Sequence, residues 1–252
     1  MTTGYHGLEA LWHDLFWEAE EAPGEIYLID DYLQDKDGGS LYIGSGSGRL
    51  LGPLVKSGHE VTGLEISPEM VALSRKNHPK VPVIEGSWQD HDPGKKYASI
   101  LIPAFTFQLF PDPQKQLQRL RGQTDYLYLT LFFPWAEVSG ELPQNQWYFD
   151  RSIQLPTGEL GELETRHKLK EQTGSLVRRH RYTLKDAAGN VVRQEETEQR
   201  LRFFPDVSLK SLFKQTGWKI EKEIYNLEPD GEDDDLVYVA TFHLVGLVSS
   251  MK

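Results

Sequence analysis

Residues 41–49 read LYIGSGSGR and residues 61–70 read VTGLEISPEM, and the expected architecture follows from these two segments. An apolar strand runs into a glycine-rich turn, a helix follows, and a second strand ends on the acid Glu65. Glycines allow the backbone to approach a ligand closely, and a carboxylate at the tip of the second strand accepts hydrogen bonds from ribose hydroxyls. The pattern therefore predicts an α/β protein that binds a ribose-bearing cofactor.

The spacing of the glycines separates two classes of cofactor. The dinucleotide pattern is G-x-G-x-x-G. Counted from Gly44, its third glycine falls on Arg49, and counted from Gly46 it falls on Leu51. The chain instead carries G-x-G-x-G, ending at Gly48. An NAD-dependent oxidoreductase is therefore the least favoured alternative.

The G-x-G-x-G turn resembles motif I of the class I S-adenosylmethionine-dependent methyltransferases. Glu65 stands where that family places its ribose-binding acid, and SPEM at residues 67–70 resembles the family's D-x-S-x-x-M segment. The resemblance implies an α/β fold: a Rossmann-like, seven-stranded, mostly parallel sheet with helices on both faces, an N-terminal helical lid and an antiparallel β-sheet insertion. It also implies S-adenosylmethionine as the cofactor and S-adenosylhomocysteine as the product.

The same resemblance implies the cofactor contacts. The glycine loop wraps the methionine part and the ribose, Glu65 holds the ribose diol, and Ile66 contacts the adenine. Ser87 stands where the family usually has an aspartate, and Ala98 where it usually has an acid, so the chain departs from the pattern at both positions. Arg49 either reaches the methionine carboxylate or is an exposed arginine at a helix start. The expected cofactor-binding residues are Gly44, Ser45, Gly46, Gly48, Arg49, Glu65, Ile66, Ser87, Trp88 (placed to pack against the purine) and Pro103.

The segment PAFTFQ at residues 103–108 resembles the F-N-S-x-x-H type of segment in small-molecule methyltransferases. Carbonyls of Pro103 or Ala104 are expected to border the methionine amine. The expected substrate-binding residues are Trp12, Trp17, Phe105, Phe107, Gln108 and Arg202. Packing on the domain is the alternative for both tryptophans, and tying down the insertion is the alternative for Arg202. No general base stands out, and Gln108 and His180 are the weak catalytic candidates.

The composition excludes several kinds of chemistry. The chain has 252 residues, of which 38% are hydrophobic, as in folded globular proteins. It has no cysteine, which excludes disulfides, thiolate metal sites, iron–sulfur clusters and a cysteine nucleophile. The net charge is −11, and the basic run at 178–181 is predicted to lie on an exposed strand. A nucleic-acid partner is therefore not expected.

Location and partners follow from what the sequence lacks. No apolar run is long enough to span a bilayer, and the first residues lack the pattern of a secretory signal, so a cytoplasmic protein without a membrane partner is expected. No catalytic metal is expected, since acids at the ends of the fourth and fifth strands and histidines at ligand spacing are missing. The acidic loop at 227–234 lacks the spacing of a calcium loop. The oligomeric state stays open.

Hydrophobic periodicity and turn residues predict the order of the elements. The expected helices lie within 5–35, with a break at Pro23-Gly24, and at 49–57, 68–77, 114–121 and 208–216; the expected strands are 40–43, 60–65, 81–85, 98–102, 126–132, four antiparallel strands between 143 and 205, and a closing hairpin of 218–226 and 235–244. Residues 1–142 and 206–252 are thus predicted as the cofactor-binding core, and residues 143–205 as an antiparallel insertion that covers the substrate.

Nearly the whole chain resembles the glycine/sarcosine and amino-sugar N-methyltransferase type. The resemblance implies transfer of a methyl group to N or O of a small-molecule acceptor by direct displacement. A protein that binds S-adenosylmethionine without transferring its methyl group is the first alternative, because of the departures at Ser87 and Ala98.

Overall fold

The structure is a computed structural model that describes residues 4–18, 24–204, 206–228 and 237–247, without the side chains of residues 17, 18, 206 and 207. The chain divides into two units. The core unit comprises residues 23–133 and 204–252, and the insertion unit comprises residues 1–22 and 134–203.

The elements run in the order that the sequence predicts. They are α1 (Gly7–Glu18), α2 (Gly24–Leu33), β1 (Ser40–Ile43), α3 (Leu51–Lys56), β2 (Val61–Glu65), α4 (Pro68–Asn77), β3 (Val83–Glu85), β4 (Ile100–Ile102), a 3₁₀ turn (Thr106–Leu109), α5 (Pro113–Gln123), β5 (Tyr126–Phe132), α6 (Trp135–Val138), β6 (Tyr148–Gln154), β7 (Leu160–Lys170), a second 3₁₀ turn (Glu171–Thr173), β8 (Ser175–Lys185), β9 (Val191–Arg202), α7 (Asp206–Gln215), β10 (Trp218–Tyr225) and β11 (Val239–Gly246). The predicted start of the last strand, at 235–236, lies outside the described residues, as do residues 229–234 of the acidic loop.

The core unit is built on a seven-stranded sheet with the order β10-β11-β5-β4-β1-β2-β3. The strands β1 to β5 pair in parallel, and β11 runs antiparallel to both β5 and β10. The predicted fold class is confirmed. The chain order reverses at β1, which has β2 on one side and β4 on the other, and ligands of open α/β sheets bind at the carboxyl ends of strands at such a point.

The central strands are apolar because both faces of this sheet are covered. All residues of β1 and β4 are buried. Successive side chains of β5 point to opposite faces, so Leu127 and Leu129 join one apolar cluster with Trp218, whereas Tyr128 joins a second cluster with Leu51. This burial on both faces fixes where β1 and β4 end, and therefore where the loops that follow them lie.

The insertion unit is an antiparallel sheet with the order β6-β7-β8-β9, on which α1 packs. The apolar stripe of α1, which includes Trp12, contacts Leu163 and Tyr182. The predicted insertion began at residue 143, whereas this unit also takes in α1 and residues 134–142. The reason is that α1 buries its apolar stripe on this sheet, and Glu137 of α6 accepts a hydrogen bond from Nε of Arg178 at 2.8 Å.

Membrane-spanning segments were sought in the described part of the chain. Within it, no helix combines the length and the apolar character that crossing a bilayer requires.

Gly63 of β2 provides a test of packing beneath the loop that follows β1. A Cβ atom at Gly63 would lie 2.6 Å from Oγ of Ser45 and 2.7 Å from Cδ2 of Leu51. We expect Gly63→Ala to lower the free energy of unfolding by about 1–3 kcal/mol, because overpacking outweighs the gain of about 0.5–1 kcal/mol from replacing a strand glycine. Gly122→Ala is the control, since a Cβ there meets nothing within 4 Å. Urea unfolding followed by circular dichroism measures both, and equal midpoints for the two variants would contradict the packing argument.

Candidate cofactor-binding site

The loop after β1 is formed by three glycines in the left-handed region of backbone space. Their φ angles are +74° at Gly44, +55° at Gly46 and +86° at Gly48. A Cβ at Gly44 would lie 2.5 Å from Cγ2 of Thr106, and one at Gly48 would lie 2.7 Å from Oγ of Ser74. Both conformation and space therefore require glycine, and the loop presents bare backbone at the carboxyl end of β1.

Glu65, the last residue of β2, is buried and fixes this loop. Its Oε2 accepts a hydrogen bond from the N–H of Gly46 at 2.9 Å, and its Oε1 accepts one from the N–H of Ser67 at 2.8 Å. A carboxylate has about four acceptor positions, so it can also accept bonds from a diol. Ser67 caps α4 by accepting a hydrogen bond from the N–H of Met70 at 3.2 Å. One carboxylate thus joins the glycine loop to the start of α4.

Three further predicted residues lie around Glu65 and the glycine loop. Ile66 is 44% exposed, although it follows a buried strand. Such an exposed apolar side chain suits contact with a flat adenine ring, and this role stays a prediction. Ser45 is buried, and its hydroxyl packs over Gly63. Arg49 is half-buried, and its positive charge lowers the pKa of Glu25.

The two predicted residues of the segment after β3 both have hydrogen-bond partners within the chain. Ser87 accepts a hydrogen bond from the N–H of Gln89 at 3.1 Å, and its hydroxyl also bonds to the Gln89 side chain. Trp88 is buried in the core, where its Nε1 donates to Oε1 of Gln116 at 3.0 Å and the guanidinium of Arg119 lies 4.6 Å from its ring centroid. One hydrogen bond and one cation–π contact therefore hold this ring within the core. The predicted contact of Trp88 with a purine stays a prediction.

The segment after β4 turns sharply before the 3₁₀ turn. Ala104 and Phe105 have φ angles of +50° and +64°, a conformation that is costly for residues with a Cβ. The N–H of Ala104 donates to Oε1 of Glu25 at 3.2 Å. The ring of Phe105 lies against Phe132, with centroids 5.4 Å apart. The turn therefore puts Pro103, Ala104 and Phe105 at the carboxyl end of the sheet.

Two residues that were predicted to face the acceptor make their contacts within the core unit instead. Phe107 is fully buried and packs against Phe110 and Phe204, so the structure places it in the core. The side-chain amide of Gln108 bonds to both backbone groups of Phe132: its Nε2 donates to the carbonyl at 3.1 Å, and its Oε1 accepts from the N–H at 2.8 Å. These bonds hold the 3₁₀ turn against the end of β5, which the sequence pattern did not reveal.

Glu25 is a residue of this site that the sequence analysis missed. It lies in the first turn of α2 and is 7% exposed. Burial raises the pKa of its carboxyl group, while bonds from the Thr130 hydroxyl and the Ala104 N–H and the charge of Arg49 partly oppose the rise. An acid one position after a glycine usually lies in solvent at a helix start, so the sequence alone does not indicate its burial.

The three predicted substrate-binding residues of the insertion unit, Trp12, Trp17 and Arg202, differ in their burial and contacts. Trp12 is fully buried in the contact of α1 with the sheet, and its ring centroid lies 5.9 Å from that of Tyr182. Trp12 therefore packs within its unit, which was the alternative to its predicted role in substrate binding. Arg202 is the exposed last residue of β9. Trp17 belongs to α1, but its side chain is outside the described residues.

His180, a weak catalytic candidate, belongs to a polar chain on this sheet. Oγ1 of Thr165 donates to Oδ2 of Asp150 at 2.8 Å and lies 3.0 Å from Nδ1 of His180. Burial and the charge of Arg178 lower the pKa of His180 to about 4. An imidazole with this pKa is neutral at pH 7 and is a weak base there.

The basic run at 178–181 is neutralised by carboxylates. Nε of Arg179 donates to Glu198 at 2.9 Å, and Nε of Arg181 donates to Glu196 at 2.9 Å. Among the residues that the structure describes, no three histidine, aspartate or glutamate side chains are grouped as a metal ion would require. The expectation of a reaction without metal stays a prediction.

One protein-family model matches part of the core unit. Residues 41–123, from β1 to the end of α5, match the family model described as a methyltransferase domain. This part of the chain, about a third of its length, is therefore similar to a methyltransferase domain. The matched range holds the glycine loop, Glu65 and the segment after β4, which are the parts that the sequence resemblance had singled out.

Solved structures of methyltransferases share the fold of this chain over nearly its whole length. An S-adenosylmethionine-dependent methyltransferase from Clostridium acetobutylicum has a TM-score of 0.76 at 10% identity, over 94% of this chain and 97% of that one. The sugar N-methyltransferase KedS8 from Streptoalloteichus has a TM-score of 0.70 at 16% identity, and the match covers 98% of both chains. The S-adenosylmethionine-bound amino pentose methyltransferase CalS10 from Micromonospora echinaspora has a TM-score of 0.64 at 18% identity. The match covers 94% of this chain and 97% of that one. No curated protein sequence matches significantly.

S-adenosylmethionine is bound in the CalS10 structure, and several residues at the carboxyl end of this chain's sheet suit a ligand of that kind. The Thr106 side chain fills the space beside Gly44, so the glycine loop lies directly against the turn after β4. The buried carboxylate of Glu65 suits a ribose diol. A close backbone approach beside a fixed acceptor is a combination that suits the ribose of a nucleoside ligand.

The role of Glu65 is testable by substitution. We expect Glu65→Ala to weaken S-adenosylhomocysteine binding by more than about tenfold, because the diol and two backbone N–H groups lose a charged acceptor. Glu60→Ala, an exposed acid at the opposite end of β2, removes the same charge and should leave affinity unchanged. Isothermal titration calorimetry measures both variants. Unchanged affinity in Glu65→Ala would remove Glu65 from the site.

Proposed function

We propose that this methyltransferase transfers a methyl group to a nitrogen or oxygen atom of a small-molecule acceptor by direct displacement. The observation that carries the proposal is the joined unit of glycine loop, Glu65 and α4 at the carboxyl end of the sheet. Two structures of the same fold belong to enzymes named for sugar N-methylation and amino pentose methylation, which supports a small acceptor that carries an amine.

The chemistry asks little of the protein beyond positioning. S-adenosylmethionine supplies, when bound, a methyl group that its sulfonium already activates. The chain's own residues align the acceptor with this group and exclude water. An amine acceptor needs only a free lone pair, whereas a hydroxyl acceptor needs a general base within hydrogen-bond reach. Phe105, Trp17 and Arg202 stay proposed as acceptor contacts, whereas Gln108 is held by the backbone of Phe132.

The function is tested by binding and turnover together. The purified chain is titrated calorimetrically with S-adenosylmethionine, S-adenosylhomocysteine and NAD, and is then incubated with amines, amino sugars and alcohols while S-adenosylhomocysteine formation is followed. Binding of both adenosyl ligands without NAD binding, and product that forms only with an acceptor, supports the proposal. Binding without turnover on any acceptor class favours a non-catalytic cofactor-binding protein. Failure to bind either adenosyl ligand contradicts the proposal.

The pH profile distinguishes acceptor titration from catalysis by His180. Because the pKa of His180 is about 4, its protonation state should not change between pH 5.5 and 9. With an amine acceptor, kcat/KM should rise with pH until the acceptor itself is unprotonated. His180→Asn should keep the shape of that profile. Loss of an inflection near neutral pH in this variant would show instead that His180 takes the proton.

A further inference from the structure

Glu25 is a buried acid to which none of the predicted cofactor contacts assigns a role. It reaches the site from α2, outside the segment of 41–123 that matches the methyltransferase domain family. Only 7% of the residue is exposed. Burying an ionised carboxylate is costly unless charges or hydrogen bonds compensate it, so this position needs a physical explanation.

The neighbours of Glu25 compensate its charge only in part. One oxygen accepts the N–H of Ala104 at 3.2 Å, and the carboxylate also accepts a bond from the Thr130 hydroxyl. The charge of Arg49 lies close enough to lower its pKa, yet burial outweighs all these contacts and the pKa stays raised. A carboxylate offers about four acceptor positions, so a further donor can be taken up.

The same contacts place Glu25 beside the glycine loop. Ala104 belongs to the left-handed turn after β4, and Thr106, two residues later, packs its side chain against Gly44. Glu25 is therefore bonded to the turn that contacts the loop after β1. Arg49, which follows that loop directly, contributes the opposite charge.

We propose that Glu25 binds the α-ammonium group of the cofactor's methionine part, an assignment that rests on the proposed function. The amino-acid end of the cofactor is a zwitterion, and it needs a positive group for its carboxylate and a negative one for its ammonium. Arg49 and Glu25 supply these two charges near one loop. A charged donor also offsets the cost of the buried carboxylate, which a neutral ligand atom does not.

A purely structural role for Glu25 makes a different prediction. Glu25 also holds the N–H of Ala104, in a turn where two residues with a Cβ adopt positive φ angles. Glu25→Gln keeps an acceptor oxygen for this N–H but removes the charge. The variant therefore separates support of the turn from recognition of a cation.

The test measures three ligands by calorimetry on the full chain. They are S-adenosylhomocysteine, its analogue with the α-amino group replaced by hydrogen, and 5′-methylthioadenosine, which lacks the amino-acid end. Glu25→Gln should weaken S-adenosylhomocysteine binding about tenfold or more, and should change the affinity of the other two by less than about twofold. Asp31→Asn, an exposed acid on the same helix, is the matched control and should change none.

Other outcomes overturn the assignment. An equal loss for all three ligands shows that Glu25 only supports the turn, and no loss shows that the ammonium binds elsewhere. If thermal unfolding shows that Glu25→Gln does not fold, the wild-type chain still tests the assignment. A preference of less than about threefold for S-adenosylhomocysteine over the deaminated analogue would refute a buried charged partner for the ammonium group. If the wild-type chain binds no adenosyl ligand, the proposed function fails as well.

Discussion

The cofactor site of the core unit depends on one buried carboxylate with two backbone partners. Glu65 bonds to Gly46 in the glycine loop and to Ser67 at the start of α4. Because a glycine loop has no side chains to hold its own shape, this external acceptor limits the conformations that the loop can take. The strand that carries Glu65 is in turn fixed by parallel pairing with β1 and β3. Order at the site is therefore transmitted from the sheet through a single side chain.

Charge is used differently in the two units. In the core unit, Glu25 and Glu65 are buried acids near the glycine loop, where the low local dielectric gives a charge a large effect on a ligand. In the insertion unit, arginines of β8 pair with glutamates, so the charges largely cancel on the sheet. The two more exposed pairs, Arg179 with Glu198 and Arg181 with Glu196, contribute little to stability, whereas Glu137 is buried. They keep a four-stranded sheet with many long side chains polar on its outer surface.

Local patterns were enough to predict the elements that local chemistry determines. β1, β5 and α4 begin and end at the predicted residues, because apolar runs, the capping Ser67 and the following proline act within a few residues. Periodicity did not show which surface α1 packs on, since an apolar stripe fits any partner, and the division of the chain therefore differs from the prediction. The same limit applies to Glu25 and Phe107. Their burial depends on the left-handed turn at Ala104 and Phe105, which no glycine marks in the sequence.

The connectivity of both units has a consequence for folding during synthesis. The N–H of Leu8 in α1 donates to Oε2 of Glu195 in β9 at 2.8 Å, across 187 residues of chain. At about 5–20 residues per second, α1 waits roughly ten to forty seconds for its partner strand. In the core unit, β11 lies between β5 and β10 although it follows both in the chain. The contact of α1 with β9 and the pairing of β5 with β11 can therefore form only late in translation. Until then the growing chain exposes the apolar stripe of α1 and an unpaired edge of β5, which are features that chaperones recognise.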